Sequence, residues 1–172
     1  MTYSVKEIFY TVQGEGVHTG RASVFCRFSG CNLWNGKEKD RETAKCSFCD
    51  TDFIGANGIG GGKFIGAEEL VQAILSYWPS NKKPFVVLTG GEPMLQVDKA
   101  LINILKKYDC EIAIETNGTI KVPREIDWIC VSPKGGNKII QTSGEELKLV
   151  YPQIGVKPRS FEKYAFKNFS LQ

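Results

Sequence analysis

Apolar and polar residues alternate along several short stretches of the chain, and this period of two predicts β-strands. The stretch from residue 22 to 29 is the clearest case, because Val24, Cys26 and Phe28 share one apolar face and Arg27 lies on the other. We therefore predict that Cys26 is a core thiol and that Arg27 points away from the core. Alternation or compact apolar runs predict further strands at Glu7–Val12, Phe85–Leu88, Glu111–Glu115, Trp128–Val131, Leu147–Tyr151 and Ala165–Leu171.

Two stretches with helical spacing lie between the predicted strands, at residues 67–77 and 95–108. In the first, Leu70, Ile74 and Trp78 recur at four-residue intervals. Repeated strand-helix units predict parallel strands with the helices outside the sheet. About six strands then form a curved sheet of the α/β class, which is either doubly wound or a partial barrel.

Two polar connections have no strand or long-helix pattern. The charged segment 36–45 predicts one or two helical turns on the surface. The glycine-rich segment 55–64 resembles a phosphate-binding loop, but Asn57 stands where the first glycine is required and Phe64 where Ser or Thr is required. We predict a flexible loop there. His18, the only histidine, has no neighbour that indicates catalysis, and we expect it at the surface.

Composition narrows the classes of protein to consider. The 172 residues, 42% hydrophobic and 24% charged, predict a single domain over residues 1–172. No apolar run approaches the roughly 20 residues of a membrane span, and no targeting peptide precedes the first strand, so we expect a cytoplasmic protein with reduced thiols. The net charge of +3 is too small and too scattered to predict nucleic-acid binding.

Three cysteines form the main candidate for chemistry. Cys31, Cys46 and Cys49 follow a C-x14-C-x2-C pattern. Three ligands leave one position of a metal centre open for a small molecule, so the pattern indicates an iron-sulfur site. Two alternatives remain open at this point. In the first, Cys26 completes a zinc knuckle, since C-x4-C followed by C-x2-C is an ordinary zinc pattern. In the second, the thiols only pack or cross-link.

Polar turns follow three successive predicted strands, at residues 89–93, 116–118 and 132–134. Carboxyl ends of parallel strands meet at one rim, so we expect these turns to lie together. Gln13 and Glu15, on the loop between the first two strands, suit hydrogen bonding to a heterocycle, and Arg27 suits a bidentate contact with a carboxylate. The side-chain oxygens of Asp50 and Thr51 suit a magnesium ion.

Several motifs in a fixed order resemble those of a known family. They are Glu7-Ile8-Phe9-Tyr10-Thr11-Val12-Gln13-Gly14-Glu15-Gly16, Arg27-Phe28-x-Gly30-Cys31-Asn32-Leu33, Cys49-Asp50-Thr51-Asp52, Thr89-Gly90-Gly91-Glu92-Pro93, Glu115-Thr116-Asn117-Gly118 and Ser132-Pro133-Lys134. Together they resemble the radical S-adenosylmethionine (SAM) superfamily and, within it, the 7-carboxy-7-deazaguanine synthase family. The sequence departs from the superfamily's usual C-x3-C-x2-C by its long first gap, which some members of this family share.

The resemblance implies a small, modified, partial (β/α)6 TIM-like barrel that binds a 4Fe-4S cluster, SAM and Mg²⁺. Cys31, Cys46 and Cys49 would bind three irons, the fourth iron would bind SAM, and Thr51 would bind magnesium. No protein residue is expected to act as a nucleophile. The expected SAM contacts are Phe48, Cys49, Asp50, Gly91, Glu92, Ser132, Pro133, Lys134 and Gln172. The expected substrate contacts are Val12, Gln13, Gly14, Glu15, Arg27 and Thr89.

The implied reaction begins with reductive cleavage of SAM to a 5'-deoxyadenosyl radical, which abstracts hydrogen from 6-carboxy-5,6,7,8-tetrahydropterin. Ring contraction and loss of ammonia then give 7-carboxy-7-deazaguanine, a precursor of queuosine or other 7-deazapurines. An electron donor such as flavodoxin and a homodimer are also implied, with no nucleic-acid or membrane partner. Family members continue beyond a Ser-Leu-Gln-Pro strand end into a segment that helps close the substrate pocket. We expect this segment either to follow Gln172 in a longer chain or to be missing together with the last substrate contacts.

Two other functions remain as alternatives. Another radical SAM enzyme, such as a glycyl-radical activase, would explain the cysteines but not Gln13, Arg27 or Thr89. A zinc-stabilised nucleic-acid-binding module would use Cys26 but leaves the polar turns without a purpose.

Overall fold

A computed structural model describes residues 1–172, and all eight of its strands belong to one sheet. Two α-helices pack against one face of this sheet, and three short 3₁₀ turns lie in the connections. The strands are β1 (Thr2–Val12), β2 (Ala22–Phe28), β3 (Gly62–Ile65), β4 (Phe85–Gly90), β5 (Glu111–Thr116), β6 (Trp128–Val131), β7 (Ser143–Leu149) and β8 (Ala165–Leu171). The helices are α1 (Ala67–Ser76) and α2 (Lys99–Lys107), and the 3₁₀ turns are Glu38–Asp40, Pro93–Leu95 and Pro158–Phe161.

The strand order distinguishes the two architectures that the sequence left open. The order is β3-β1-β2-β4-β5-β6-β7-β8, with β1 antiparallel to both of its neighbours. Six strands run parallel and follow one another in chain order, namely β2 and β4 to β8. A doubly wound sheet reverses its order at a switch point, whereas a barrel does not. The fold is therefore a partial barrel, and the predicted parallel sheet is confirmed.

The two faces of the sheet have different chemistry. The outer face contributes to a core of 27 buried residues that also includes the apolar sides of both helices. Cys26 is fully buried in this core beside Val24 and Phe28, which confirms its prediction as a core thiol. The inner face has only a small apolar cluster around Phe25 and Phe85, so polar side chains line the rest of the barrel interior.

Some predicted boundaries were wrong. The helix predicted from residue 95 begins at Lys99, because Pro93 opens a 3₁₀ turn and Asp98 caps the helix by accepting from the Leu101 amide at 2.9 Å. The strand predicted at residues 147–151 begins at Ser143 and ends at Leu149. Its first half is polar, because Glu145 pairs with Lys167 and Glu146 lines the barrel interior, and an apolar pattern therefore does not reveal it. The predicted helical turns in segment 36–45 reduce to the single 3₁₀ turn.

The loop predicted over residues 55–64 was also wrong in part, since residues 62–65 form strand β3. This strand pairs antiparallel with β1, with Thr2 opposite Ile65. The glycines before it serve close packing: a Cβ added at Gly58 or Gly61 would lie 2.6 or 2.2 Å from the carbonyl oxygen of Lys6. A glycine-rich sequence here therefore indicates contact with the neighbouring backbone, not freedom of motion.

The connections after β5 contain no α-helix. α-Helices accompany only the crossovers into β4 and β5, while loops and a 3₁₀ turn make the later crossovers, which keeps the barrel small. His18, expected at the surface, is half-buried, because its ring packs 4.1 Å from that of Trp128 and 5.0 Å from that of Phe85 at the amino end of the parallel strands. Neither helix has the length and apolar character needed to cross a membrane.

Candidate active site

The polar turns at the carboxyl ends of β4, β5 and β6 lie together, as predicted. The carboxylate of Glu92 joins two of them, accepting from the Thr116 hydroxyl at 2.8 Å and from the Asn117 amide at 2.8 Å. The Ser132 amide donates to the Thr116 carbonyl at 2.8 Å and brings in the third turn. Glu92 is fully buried, and burial raises its pKa although these hydrogen bonds oppose the shift. Its carboxylate therefore holds the rim together and is not exposed to a ligand.

The turn after β4 also touches the loop that carries the first candidate cysteine. The Glu92 amide donates to the Gly30 carbonyl at 2.9 Å. A Cβ on Gly91 would lie 2.3 Å from that same oxygen and 2.8 Å from the Cβ of Cys31. Only glycine permits this approach, so Gly91 brings the backbone of the turn against the cysteine loop.

A side-chain network ties the same loop to the turn after β5. The Asn117 side chain donates to the side-chain oxygen of Asn32 at 2.9 Å, and Asn32 donates to the Thr119 hydroxyl at 2.8 Å. Thr119 in turn donates to Asn117 at 2.7 Å, which closes the ring. Because Asn32 directly follows Cys31, this network fixes the position of the cysteine loop relative to the turn after β5.

The three candidate cysteines converge beside this rim. All are free thiols, with Cys46 buried and the other two half-buried. Burial raises the pKa of Cys31 and of Cys46, and negative charge on Cys49 would raise both further, so the three sulfurs lie within electrostatic reach of one another. No three His, Cys, Asp or Glu residues are arranged around a single metal ion. In a cluster each thiolate binds a different iron, so its three protein ligands do not surround a single point.

The zinc-knuckle interpretation fails on the position of Cys26. This thiol lies on the outer face of β2, fully buried among apolar side chains, and cannot reach a metal held at the rim. The free state of all six cysteines likewise excludes cross-linking.

Lys134 brings the turn after β6 next to the two later cysteines. Its amine donates to the hydroxyl and the carbonyl of Ser132, at 2.6 and 3.1 Å, and lies 6.0 Å from the ring centroid of Phe48. Burial lowers the pKa of this amine, and negative charge on Cys46 and Cys49 acts in the opposite sense. Two of the segments expected to contact SAM are therefore adjacent.

Charged side chains fill the middle of the barrel interior. The amine of Lys148 lies 2.8 Å from Glu15 and 3.3 Å from Glu115, and Gln13 donates to Glu115 at 3.0 Å. Burial alone would lower the pKa of Lys148, but the neighbouring carboxylates outweigh it and raise the pKa. Gln172, expected to contact SAM, donates to Glu15 in this structure. The loop after β1 thus folds into the barrel and meets strands β5, β7 and β8.

Arg27 faces the interior as predicted, on the strand position opposite Thr89 in the β2–β4 pairing. Its Nε atom donates to the carboxylate of Glu7 at 2.8 Å. The two terminal nitrogens have no protein partner in the structure, so the fork that binds carboxylates is available. Two other expected substrate residues are less constrained: Val12 is 54% exposed, and a Cβ added to Gly14 would have no heavy atom within 4 Å beyond its chain neighbours.

Comparison with known proteins identifies the family. The Radical SAM superfamily pattern matches residues 42–164. The 7-carboxy-7-deazaguanine synthase of Bradyrhizobium diazoefficiens is 60% identical over 173 residues, covering all of this chain and 82% of that protein. The synthase of Nitratidesulfovibrio vulgaris is 57% identical over 176 residues with the same coverage. The chain belongs to the 7-carboxy-7-deazaguanine synthase family.

The fold agrees with this family. The crystal structure of QueE from Escherichia coli superposes with a TM-score of 0.67 at 26% identity, covering 90% of this chain and 73% of that one. The resemblance found from the motifs is therefore confirmed, as is the partial barrel. Radical SAM enzymes use a 4Fe-4S cluster and SAM, and the three converging thiols with one open position fit that pair of cofactors.

Sequence reasoning assigned no role to several residues that this synthase fold brings into the site, although all of them except Lys148 lie in the quoted motifs. Glu115 and Lys148 form the interior ion pairs, Glu7 partners Arg27, and Asn32 and Asn117 brace the cysteine loop. A signal for Lys148 was present, because it alternates with Leu147 and Leu149 on a strand that has a parallel neighbour on each side. A charged residue at such a position points into the barrel.

Proposed function

We propose that this chain is the radical SAM enzyme 7-carboxy-7-deazaguanine synthase, which converts 6-carboxy-5,6,7,8-tetrahydropterin to 7-carboxy-7-deazaguanine with loss of ammonia. The observation that carries the proposal is the arrangement of the rim: three free thiols lie at the mouth of a barrel whose interior is polar and charged. A glycyl-radical activase acts on a protein and has no use for such an interior.

The cofactors supply the radical chemistry, and the protein positions them. SAM bound to the cluster provides the species that abstracts hydrogen from the substrate. The chain's own part is to hold the thiols with Gly91 and Asn32, and to bring Phe48 and Lys134 together beside them. The buried carboxylate of Glu92 keeps the rim turns in register, so that backbone groups of this turn face the cofactor.

Substrate recognition in this proposal uses the interior face. The terminal nitrogens of Arg27 bind the pterin carboxylate, since a guanidinium matches a carboxylate with two parallel hydrogen bonds. Gln13, Glu15 and Glu115 offer acceptors for the N–H groups of the pterin ring. Thr89, beside Arg27, adds a hydroxyl at the same depth.

Magnesium is part of the proposal and rests on Asp50 and Thr51. The Thr51 hydroxyl lies 3.4 Å from an Asp50 carboxylate oxygen, and Asp50 makes no ion pair. Asp52 is a poorer candidate because its carboxylate is held by Lys6 at 2.7 Å. Oxygen ligands of this kind, completed by substrate and water, suit Mg²⁺. Turnover that is unchanged after removal of divalent ions would exclude this role.

The proposal is tested with the chain purified and reconstituted without oxygen. About four irons per chain are expected, together with conversion of the pterin to 7-carboxy-7-deazaguanine when SAM, Mg²⁺ and a reductant are supplied. Single alanine variants of the three rim cysteines should lose the iron, whereas Cys26→Ala should keep it. A wild-type chain that binds a cluster and cleaves SAM but leaves the pterin unchanged would refute the substrate assignment.

Three further parts of the proposal follow from the family. A flavodoxin-like donor delivers the electron, the enzyme is a homodimer, and it works in the cytoplasm, where its six free cysteines stay reduced. Turnover with reduced flavodoxin in place of dithionite tests the donor. Sedimentation velocity at micromolar concentration tests the dimer, and a monomer there would reject it.

A further inference from the structure

Arg41 lies in the long segment between the first two cluster cysteines, and its guanidinium reaches the turn that carries the other two thiols. One terminal nitrogen, Nη1, donates to the carbonyl oxygens of Ser47 and Cys49, each at 2.9 Å. Both carbonyls belong to the Cys-x2-Cys turn. A single nitrogen therefore bridges that turn from Ser47 to the cysteine at its end.

The guanidinium is itself held in place. It lies 4.2 Å from the ring centroid of Trp34, which is only 8% exposed, and its Nε donates to Glu38 at 2.7 Å. Trp34 in turn donates its indole N–H to the Lys37 carbonyl at 3.3 Å. A planar group stacked on a buried aromatic ring loses little further freedom when it makes hydrogen bonds. The segment thus presents Arg41 to the turn as a rigid fork.

We propose that Arg41 is a positioning residue that clamps the Cys-x2-Cys turn in its iron-binding geometry and places a permanent positive charge beside the cluster. The inference rests on the proposed function only in that the three thiols bind a cluster. It also explains the C-x14-C spacing, because Arg41 comes from within the long gap and a gap of three residues has no room to fold back on the turn.

Two measurable consequences follow, and neither depends on the pterin. A clamped turn slows the release of iron, because a thiolate that dissociates from its iron stays close enough to bind it again. A fixed positive charge stabilises the reduced cluster, which carries one more electron, and so raises its reduction potential. Arginine stays charged throughout the working pH range, so the second effect is permanent.

The test uses the reconstituted full chain and its Arg41→Gln, Arg41→Lys and Lys39→Gln variants. Iron release to a chelator and the midpoint potential of the cluster are measured without substrate. Arg41→Gln should release iron about tenfold faster than wild type. Its cluster should be about tenfold less favourable to reduce, which for one electron is a midpoint potential lower by about 59 mV. Arg41→Lys, which keeps the charge without the planar fork, should release iron faster at a nearly unchanged potential. Lys39→Gln removes an equal charge from the same segment and should match wild type, because this exposed side chain makes no hydrogen bond or ion pair.

The outcomes separate the inference from the proposed function. Wild-type iron release and potential in both Arg41 variants would overturn the clamp while leaving the cluster intact. A wild-type chain without iron would refute the proposed function itself. If Arg41→Gln fails to fold, Arg41→Lys decides: faster iron release with an unchanged thermal midpoint of the iron-free protein supports the clamp, and unchanged release overturns it.

Discussion

Lys148 is the only cation in the middle of the barrel interior with direct contacts to two carboxylates, and its replacement by methionine should be costly. Its side chain is 6% exposed and lies 2.8 Å from Glu15 and 3.3 Å from Glu115. Removing one partner of a buried ion pair typically costs about 3–5 kcal/mol, because the remaining charge stays buried. Glu15 is 46% exposed, so solvent screens part of this loss. We expect Lys148→Met to lower the free energy of unfolding by about 2–4 kcal/mol.

Urea unfolding of the iron-free chain measures this loss, and the thermal midpoint should fall by about 5–12 °C for a protein of this size. Lys167→Met is the matched control on the neighbouring strand: its amine pairs with Glu145 at 3.2 Å but is 73% exposed, so about 0.5 kcal/mol or less is expected. Adding Glu115→Gln to Lys148→Met should recover part of the stability, since one unpaired charge disappears. Equal losses in the two single lysine variants would refute the reasoning.

Three further predictions follow from the same structure. Arg27→Lys should keep the cluster and still cleave SAM slowly, uncoupled from pterin conversion, yet lower pterin turnover by a factor of about ten to a thousand. A lowered thermal midpoint with unchanged pterin affinity would instead assign Arg27 a role in stability. Glu92→Gln should cost about 1–3 kcal/mol in urea unfolding, because its amide nitrogen would face the Asn117 N–H where the carboxylate accepts; a neutral effect would contradict the rim role. Burial and the nearby Arg21 lower the pKa of His18, so the unfolded state binds the proton more readily than the folded state. The free energy of unfolding of the wild type should therefore fall as the pH drops below about 6.5, and in His18→Gln it should change less between pH 7 and 5.

The sequence alone predicted the fold class and the three candidate cluster cysteines. The parallel strands and the helix α1 follow from local periodicity, which depends only on the spacing of apolar residues along the chain. Cys26 was separated from the three ligands by the same argument, since its neighbours on alternate positions are apolar. The ordered motifs then named the family, and the carboxyl-end rim followed from the rule that parallel strands end on one side of the sheet.

The tertiary structure decided which polar groups meet. Strand β3 was missed because its four residues acquire their conformation by pairing with β1, not from their own propensity. Glu15 and Lys148 are 133 residues apart, and Asn32 and Asn117 are 85 apart, so no local pattern links them. In the sequence Arg41 is one of several charged residues in a polar segment. Its contact with the cysteine turn exists only because the folded segment returns to that turn. Periodicity records which face of an element is buried, whereas long-range contacts depend on how the elements are packed, and that is set only when the whole barrel assembles.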